Sequence, residues 1–338
     1  MTLPEAFRDQ AVSCTTLGSP FMGRLMILLA DRLTPDHGAV AARLHDWPGN
    51  VSSRGASLPL RLAGGLHALA LHGHPGLGAV YPPQKADDEA LWAAVSEALV
   101  DEAPFLLDWL DSPPQTNEIR RAAVLRATGQ WLTARHGLPL ELLELGASAG
   151  LNLHWDRYAL ALPGATFGPA NPTLTLTPDW SGSLPPQAEP TVASRRGVDL
   201  NPLSPVDDAL RLRAYLWPDQ PERMARTDAA LALPPAPVDR ADAADWLDAL
   251  PAQTTGTTRL ICHTVAWQYF PPATQARATA RIEAMGAAAT PDAPLAWFGM
   301  EADGGHGAAL TLRLWPGGEM LDAGRADFHG RWVEWHLT

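Results

Sequence analysis

Apolar positions set the first frame. Phe21, Leu25, Leu28, Leu29 and Leu33 recur at helical spacing and predict a helix that Pro35 stops. Residues 58–71 and 91–110 repeat the pattern, interrupted by Gly64-Gly65 and by Pro104. Ser112-Pro113-Pro114-Gln115 then reads as a capping box with proline at the first helical position. The helix it opens is expected to pass Glu118, Arg121 and Trp131 and to end near Gly137.

Beyond that glycine the period changes. Residues 138–145 form a short apolar run, followed by Gly146-Ala147-Ser148-Ala149-Gly150 and a helical stretch over 151–158. Strand, glycine turn and helix in this order open a nucleotide-binding βα unit. Residues 159–196 hold seven prolines and three glycines, with the alternation Thr-Leu-Thr-Leu-Thr at 173–177, and predict an irregular insertion carrying a hairpin. Later strands are expected near 198–200, 238–241, 259–265 and 295–300. The intervening helices fall near 204–217 (opened by the capping box Ser204-Pro205-Val206-Asp207), 221–233, 242–250 and 271–288. Two alternating runs around Pro316-Gly317-Gly318 close the chain as a hairpin. The pattern predicts an α/β protein with a helical N-terminal domain over 1–136. Residues 137–338 are expected to form a Rossmann-like, mostly parallel, doubly wound sheet with a C-terminal antiparallel hairpin.

Composition narrows the partners. Hydrophobic content of 46% with 18% charge is enough for a buried core. A net charge of −12 argues against nucleic acid, whose binding depends on neutralising phosphates. Lys85 is the only lysine, and the bland reading of a chain rich in Ala, Pro and Arg is genomic base composition. Cys14 and Cys262 form no metal or disulfide framework, so no metal is expected. The N-terminal residues lack the layout of a signal peptide, and the apolar stretch around 25–30 is too short to cross a bilayer. No membrane partner and a cytoplasmic location are therefore expected. The thirteen tryptophans are scattered, which fits core filling better than an aromatic cage.

The segment Leu143-Glu144-Leu145-Gly146-Ala147-Ser148-Ala149-Gly150-Leu151-Asn152 has the form E-x-G-x-x-x-G-x-N. It resembles the first motif of the class I S-adenosylmethionine-dependent methyltransferases. Two glycines allow a tight turn and a close ligand approach, and the amides that follow face polar ligand groups. The whole chain is also similar to a bacterial family catalogued as domain of unknown function 2332. That likeness rests on Gly18-Ser19-Pro20, the run at 61–67, Gln115-Thr116-Asn117-Glu118, the glycine loop, the runs at 196–202 and 217–223, and His329-Gly330.

The methyltransferase resemblance implies S-adenosylmethionine as cofactor and an unidentified small molecule as acceptor. It implies a cofactor site of Glu144, Gly146, Ala147, Ser148, Gly150 and Asn152. Asp199, with Asp179 as fallback, would bind the ribose, and Asp242 with Ala243 or Trp246 would meet the adenine. For Asp242 an ordinary helix N-cap is an equal reading. His263 is the candidate general base and Tyr269 its companion, with Gln268, Asn117 and Glu118 toward the substrate. The bland reading of His263 is a hydrogen-bonded histidine at a strand end, and that of Asn117 and Glu118 is a brace between helix and sheet.

Two other classes stay open. One is a binding module with the same fold and no turnover. The other is an esterase, since Gly146-Ala147-Ser148-Ala149-Gly150 also satisfies G-x-S-x-G. Ser148 would then be the nucleophile, with Asp303 or Asp322 and His306 or His329 completing the triad, although His72-Gly73-His74-Pro75 is a poor oxyanion loop.

Overall fold

The computed structural model describes residues 1–338. In chain order the helices are α1 (Leu3–Thr16), α2 (Pro20–Arg32), α3 (Ala39–His45), α4 (Leu58–Leu71), α5 (Pro75–Gly78), α6 (Asp88–Asp101), α7 (Ala103–Leu110), α8 (Ala122–His136), α9 (Ala209–Ala214), α10 (Pro221–Leu231), α11 (Ala243–Asp248) and α12 (Pro272–Ala287). The strands are β1 (Leu140–Leu145), β2 (Ala159–Leu162), β3 (Ala165–Phe167), β4 (Thr175–Leu176), β5 (Asp179–Gly182), β6 (Val192–Asp199), β7 (Val238–Arg240), β8 (Thr258–Thr264), β9 (Leu295–Ala302), β10 (Ala308–Trp315), β11 (Glu319–Ala326) and β12 (Trp332–Trp335). No helix is long and apolar enough to cross a membrane.

The chain divides into two compact units, residues 1–116 with 207–225 and residues 117–206 with 226–338. The first is helical. Ser19 caps α2 by accepting from the Met22 amide, Pro20 follows at the first helical position, and the predicted face of Phe21, Leu25, Leu28 and Leu29 is buried. Helix α4 runs unbroken through its two glycines for a packing reason. A side chain at Gly64 would collide with the Tyr215 ring, and one at Gly65 would come within 2.8 Å of Leu106. The apolar stretch 91–110, by contrast, breaks between α6 and α7, just ahead of Pro104.

The second unit is a nine-stranded sheet in the order β5-β12-β11-β10-β9-β8-β1-β6-β7. Strands β9, β8, β1, β6 and β7 are mutually parallel, while β9 to β12 run antiparallel as a meander. The α/β class, the mostly parallel sheet and the C-terminal hairpin (β10–β11) agree with the pattern in the sequence. Strand β12, its parallel neighbour β5 and the small sheet β3-β2-β4 were not expected as such.

One expectation on helices gives way. The stretch from Ser112 to Glu118 is not helical, and α8 starts only at Ala122 after a 3₁₀ turn over Ile119–Arg121. Consecutive prolines bias the residues before them away from helical backbone. Helix α8 ends at Gly137 in the left-handed conformation, as its glycine implies. The second compact unit begins at Asn117 and so takes in α8. Residues 122–132 are all buried, and Gly129 admits the Trp155 ring so closely that any side chain there would collide with it. Helix α8 therefore belongs with the sheet.

Candidate functional site

Leu143 and Leu145 of β1 and Ile261 of β8 pack with Ala244, Leu247, Ala278 and Ile282 of α11 and α12. Strand alternation then turns Glu144 to the opposite face of the sheet. There it pairs in register with Gly197 of β6, where the absent side chain leaves room for Ala147 and Leu153. Glu144 is 3% exposed, and its Oε2 has no hydrogen-bond partner. Burial pushes its carboxyl up to about 8, against the lowering effect of Arg121 and with a further upward push from Asp199.

The loop that follows turns on Gly146 (φ +73°) and Gly150 (φ +71°). A side chain at Gly146 would collide with the Ala266 methyl, and one at Gly150 would lie 2.9 Å from Val238. The loop amides are engaged within the protein rather than left bare. Gly146 and Ala147 donate to the Val198 carbonyl, Ser148 donates to Asp199 Oδ2 at 2.9 Å, and Gly150 donates to Ala147. The Leu151 amide donates to Asn117 Oδ1 at 3.0 Å, and Asn152 Nδ2 donates to the Glu118 carbonyl at 3.2 Å. Eight of the expected residues thus surround one loop: Glu144, Gly146, Ala147, Ser148, Gly150, Asn152, Asn117 and Asp199. Glu118 joins them through its backbone, while its carboxylate caps the 3₁₀ turn by accepting from the Arg120 amide. Ser148 is itself left-handed (φ +54°), with its Oγ buried and unpartnered, as is Asn152 Oδ1.

Asp199 occupies the tip of the strand beside β1, whereas Asp179 lies in β5 at the far edge of the sheet. Asp242 caps α11 through the Ala244 and Asp245 amides and accepts from Thr274 at 2.8 Å. Ala243 is buried in the layer beneath α11, and Trp246 Nε1 donates to Asp239 at 2.7 Å. These three residues have structural duties and stand apart from the loop's hydrogen-bond network.

On the other side of Gly146, the tip of β8 carries His263. Its Nδ1 lies 2.8 Å from Glu301 Oε1, and its ring stacks on Trp267 with centroids 4.9 Å apart. Two residues after Ile261, His263 faces the α11/α12 side, opposite to Glu144. Gly299 makes room for the ring, since a side chain there would come within 2.9 Å of it. Val265 has φ +53°, which a β-branched residue adopts only under strain. Gln268 accepts from the Ala302 amide at 3.4 Å, and Tyr269 is 71% exposed. Sequence reasoning missed Glu301. The only available signal was an acid one step past the expected end of the strand at Met300.

For the hydrolase triad, Asp303 is held by Arg325 through two bonds of 2.9 and 2.7 Å, and Asp322 contacts His336 at 3.1 Å. His306 stacks on Trp332, and the backbone amide of His329 donates to Asp327. His74 caps α5. No group of three or more His, Cys, Asp or Glu side chains is placed to hold a metal ion.

A family model described as an uncharacterized protein conserved in bacteria (DUF2332) matches residues 4–335. The chain belongs to this family. No curated protein and no solved structure matches the DUF2332 chain. The matched range takes in the whole glycine loop and all of both units except residues 1–3 and 336–338.

Proposed function

We propose that this DUF2332 protein is an S-adenosylmethionine-dependent methyltransferase acting on a small molecule, with the cofactor at the carboxyl ends of β1, β6 and β8. One observation carries the reading. Numbered among themselves, the parallel strands run 3-2-1-4-5 (β7-β6-β1-β8-β9), and the glycine loop leaves the strand at which that order reverses. Ligands of open α/β sheets bind in the crevice at this switch point.

The residues fit such a cofactor. The loop region holds three buried, unpartnered polar atoms, Glu144 Oε2, Ser148 Oγ and Asn152 Oδ1. All three accept hydrogen bonds, and an ammonium group would supply donors. Asp199 uses one lone pair on each oxygen for the Ser148 and Asn201 amides, leaving others for ribose hydroxyls. When bound, the cofactor supplies an electrophilic methyl group. His263, with Nδ1 turned to Glu301, keeps Nε2 for accepting a proton from an oxygen or nitrogen nucleophile.

Calorimetric titration with S-adenosylhomocysteine tests the reading. Saturable binding is expected, weakened at least about tenfold (roughly 1.4 kcal/mol) in Asp199→Ala. Absence of heat at millimolar ligand, with folded protein, overturns it. A binding module without turnover would bind equally well and methylate nothing across a metabolite panel. The esterase reading draws support from the left-handed backbone of Ser148, which a nucleophile elbow requires.

A further inference from the structure

A cavity lies in the sheet unit, behind the glycine loop. Half open to solvent, it has a volume of about 570 Å³. That volume falls within the roughly 300–1,000 Å³ of small-molecule sites. Its lining combines the apolar run 233–237 that leads into β7 with the polar side chains of His154, Arg157, Asn171, Thr173 and Arg195.

The walls are preformed by main-chain bonds. The Gly197 amide of β6 donates to the Pro237 carbonyl at 2.9 Å, and the Thr173 amide donates to the Arg157 carbonyl at 3.0 Å. Prolines at 234, 235 and 237 give the apolar wall a rigid surface that loses little entropy on binding. Ala236 also lies 3.3 Å from the position a Gly150 side chain would take, so this wall backs the glycine loop.

The charge on the polar side is unbalanced. Arg195 binds both oxygens of Asp156, at 2.6 and 2.9 Å, and donates to the Leu153 carbonyl at 2.6 Å. Arg157 approaches the same carboxylate only at 3.6 Å, with its side chain 62% exposed. Two guanidinium groups therefore share one carboxylate and leave one positive charge in excess. Burial, then Arg195, lower the pKa of His154, which adds a polar ring rather than a charge. In a chain of net charge −12, this is a local positive field over an apolar wall.

We propose that the cavity binds a small organic anion, its carboxylate or phosphate group on Arg157, Asn171 and Thr173 and its apolar body against residues 233–237. Planar guanidinium suits both headgroups. The proposal stands independently of methyl transfer, since none of its residues belongs to the glycine loop.

The test uses the full chain with benzoate and phenyl phosphate as probes and benzyl alcohol as the neutral control, followed by saturation-transfer NMR and calorimetry. The expected result is single-site binding of at least one anion that weakens with added salt and exceeds binding of the alcohol. Arg157→Glu, on an exposed side chain, is expected to weaken it at least tenfold. Thr173→Trp is expected to abolish it by filling the cavity, and Asp199→Ala to leave it unchanged. Failure of both anions to bind folded protein at millimolar concentration overturns the proposal. So does an Arg157→Glu protein that binds as well as the parent, or equal binding of the alcohol. Because Arg157→Glu leaves the interior intact, the result stands even if Thr173→Trp does not fold.

Discussion

His263 Nδ1 lies 2.8 Å from Glu301 Oε1, and the same oxygen accepts from the amides of Ala266 and Trp267 at 3.0 Å each. One carboxylate thus ties the imidazole to the turn at the tip of β8, where Val265 is strained. Glu301→Ala leaves three part-buried donors without a partner, each worth up to about 1–3 kcal/mol if no water reaches it. With some access of water, a loss of about 2–4 kcal/mol is expected in urea unfolding, and a loss below about 0.5 kcal/mol would show that the oxygen does not hold the turn. The pH dependence has a defined sign. Burial raises the Glu301 pKa, but His263 and the two amides outweigh it, so the folded value lies below the ordinary 4.5. The contribution is fully present above 4.5 and is lost as pH falls through the folded value.

Glu144 has the opposite sign. Its folded pKa of about 8 exceeds the ordinary 4.5, so the folded chain holds a proton that the unfolded chain releases in this range. The Glu144 contribution to stability is greatest below 4.5 and declines as pH rises toward 8. Glu144→Gln removes that slope and is expected to raise stability at pH 8 by on the order of a few kcal/mol, and little at pH 4. Parallel unfolding curves at both pH values for parent and variant would contradict this. A cation bound beside Glu144 near neutral pH would expel the proton, so the apparent heat of binding S-adenosylhomocysteine is expected to vary with the ionisation enthalpy of the buffer.

Much of this architecture was legible because the parallel strands are short apolar runs bounded by glycine, proline or an acid. Strands β1, β7, β8 and β9 follow that pattern, and Asp199 meets the loop at Ser148 although it lies 49 residues past Gly150, where about 20 is usual. Where several local signals compete, reading by pattern fails. Ser112 has the form of a cap, yet two prolines follow it and the chain turns helical only ten residues later. Asp242 carried two equal readings, ligand acid and helix N-cap, and the amides of Ala244 and Asp245 donate to it as a cap. Strands β5 and β12 pair across about 150 residues, and no local period carries such information. Glu301 escaped for the same reason, because its partners arrive from a neighbouring strand.

Gly146 and Gly137 separate two reasons for glycine. Both have positive φ, at +73° and +66°. At Gly137 nothing lies within 4 Å of an added methyl, so Gly137→Ala is expected to cost only about 1 kcal/mol for the left-handed backbone. At Gly146 the methyl would also strike Ala266, between two tethered loops. Gly146→Ala is expected to lose about 2–4 kcal/mol, combining backbone strain with overpacking. Chemical denaturation of the two variants side by side measures the difference, and equal losses would mean that the β8 turn yields easily.

Ser148 decides between the two chemistries that its loop resembles. As a nucleophile it needs a base within hydrogen-bond reach, about 2.6–3.2 Å. Its Oγ is buried with no partner, and Asp303, one of the acids that the triad would require, is bound to Arg325. A buried hydroxyl without a bond is a desolvation penalty rather than a gain. Ser148→Ala is therefore expected to leave stability unchanged or raise it by up to about 1 kcal/mol, the left-handed backbone being equally strained in both. A fluorophosphonate probe is expected to leave the parent protein unlabelled. Labelling of the parent that disappears in Ser148→Ala would overturn the methyltransferase reading in favour of an esterase, because it would require a base to move onto Oγ in solution.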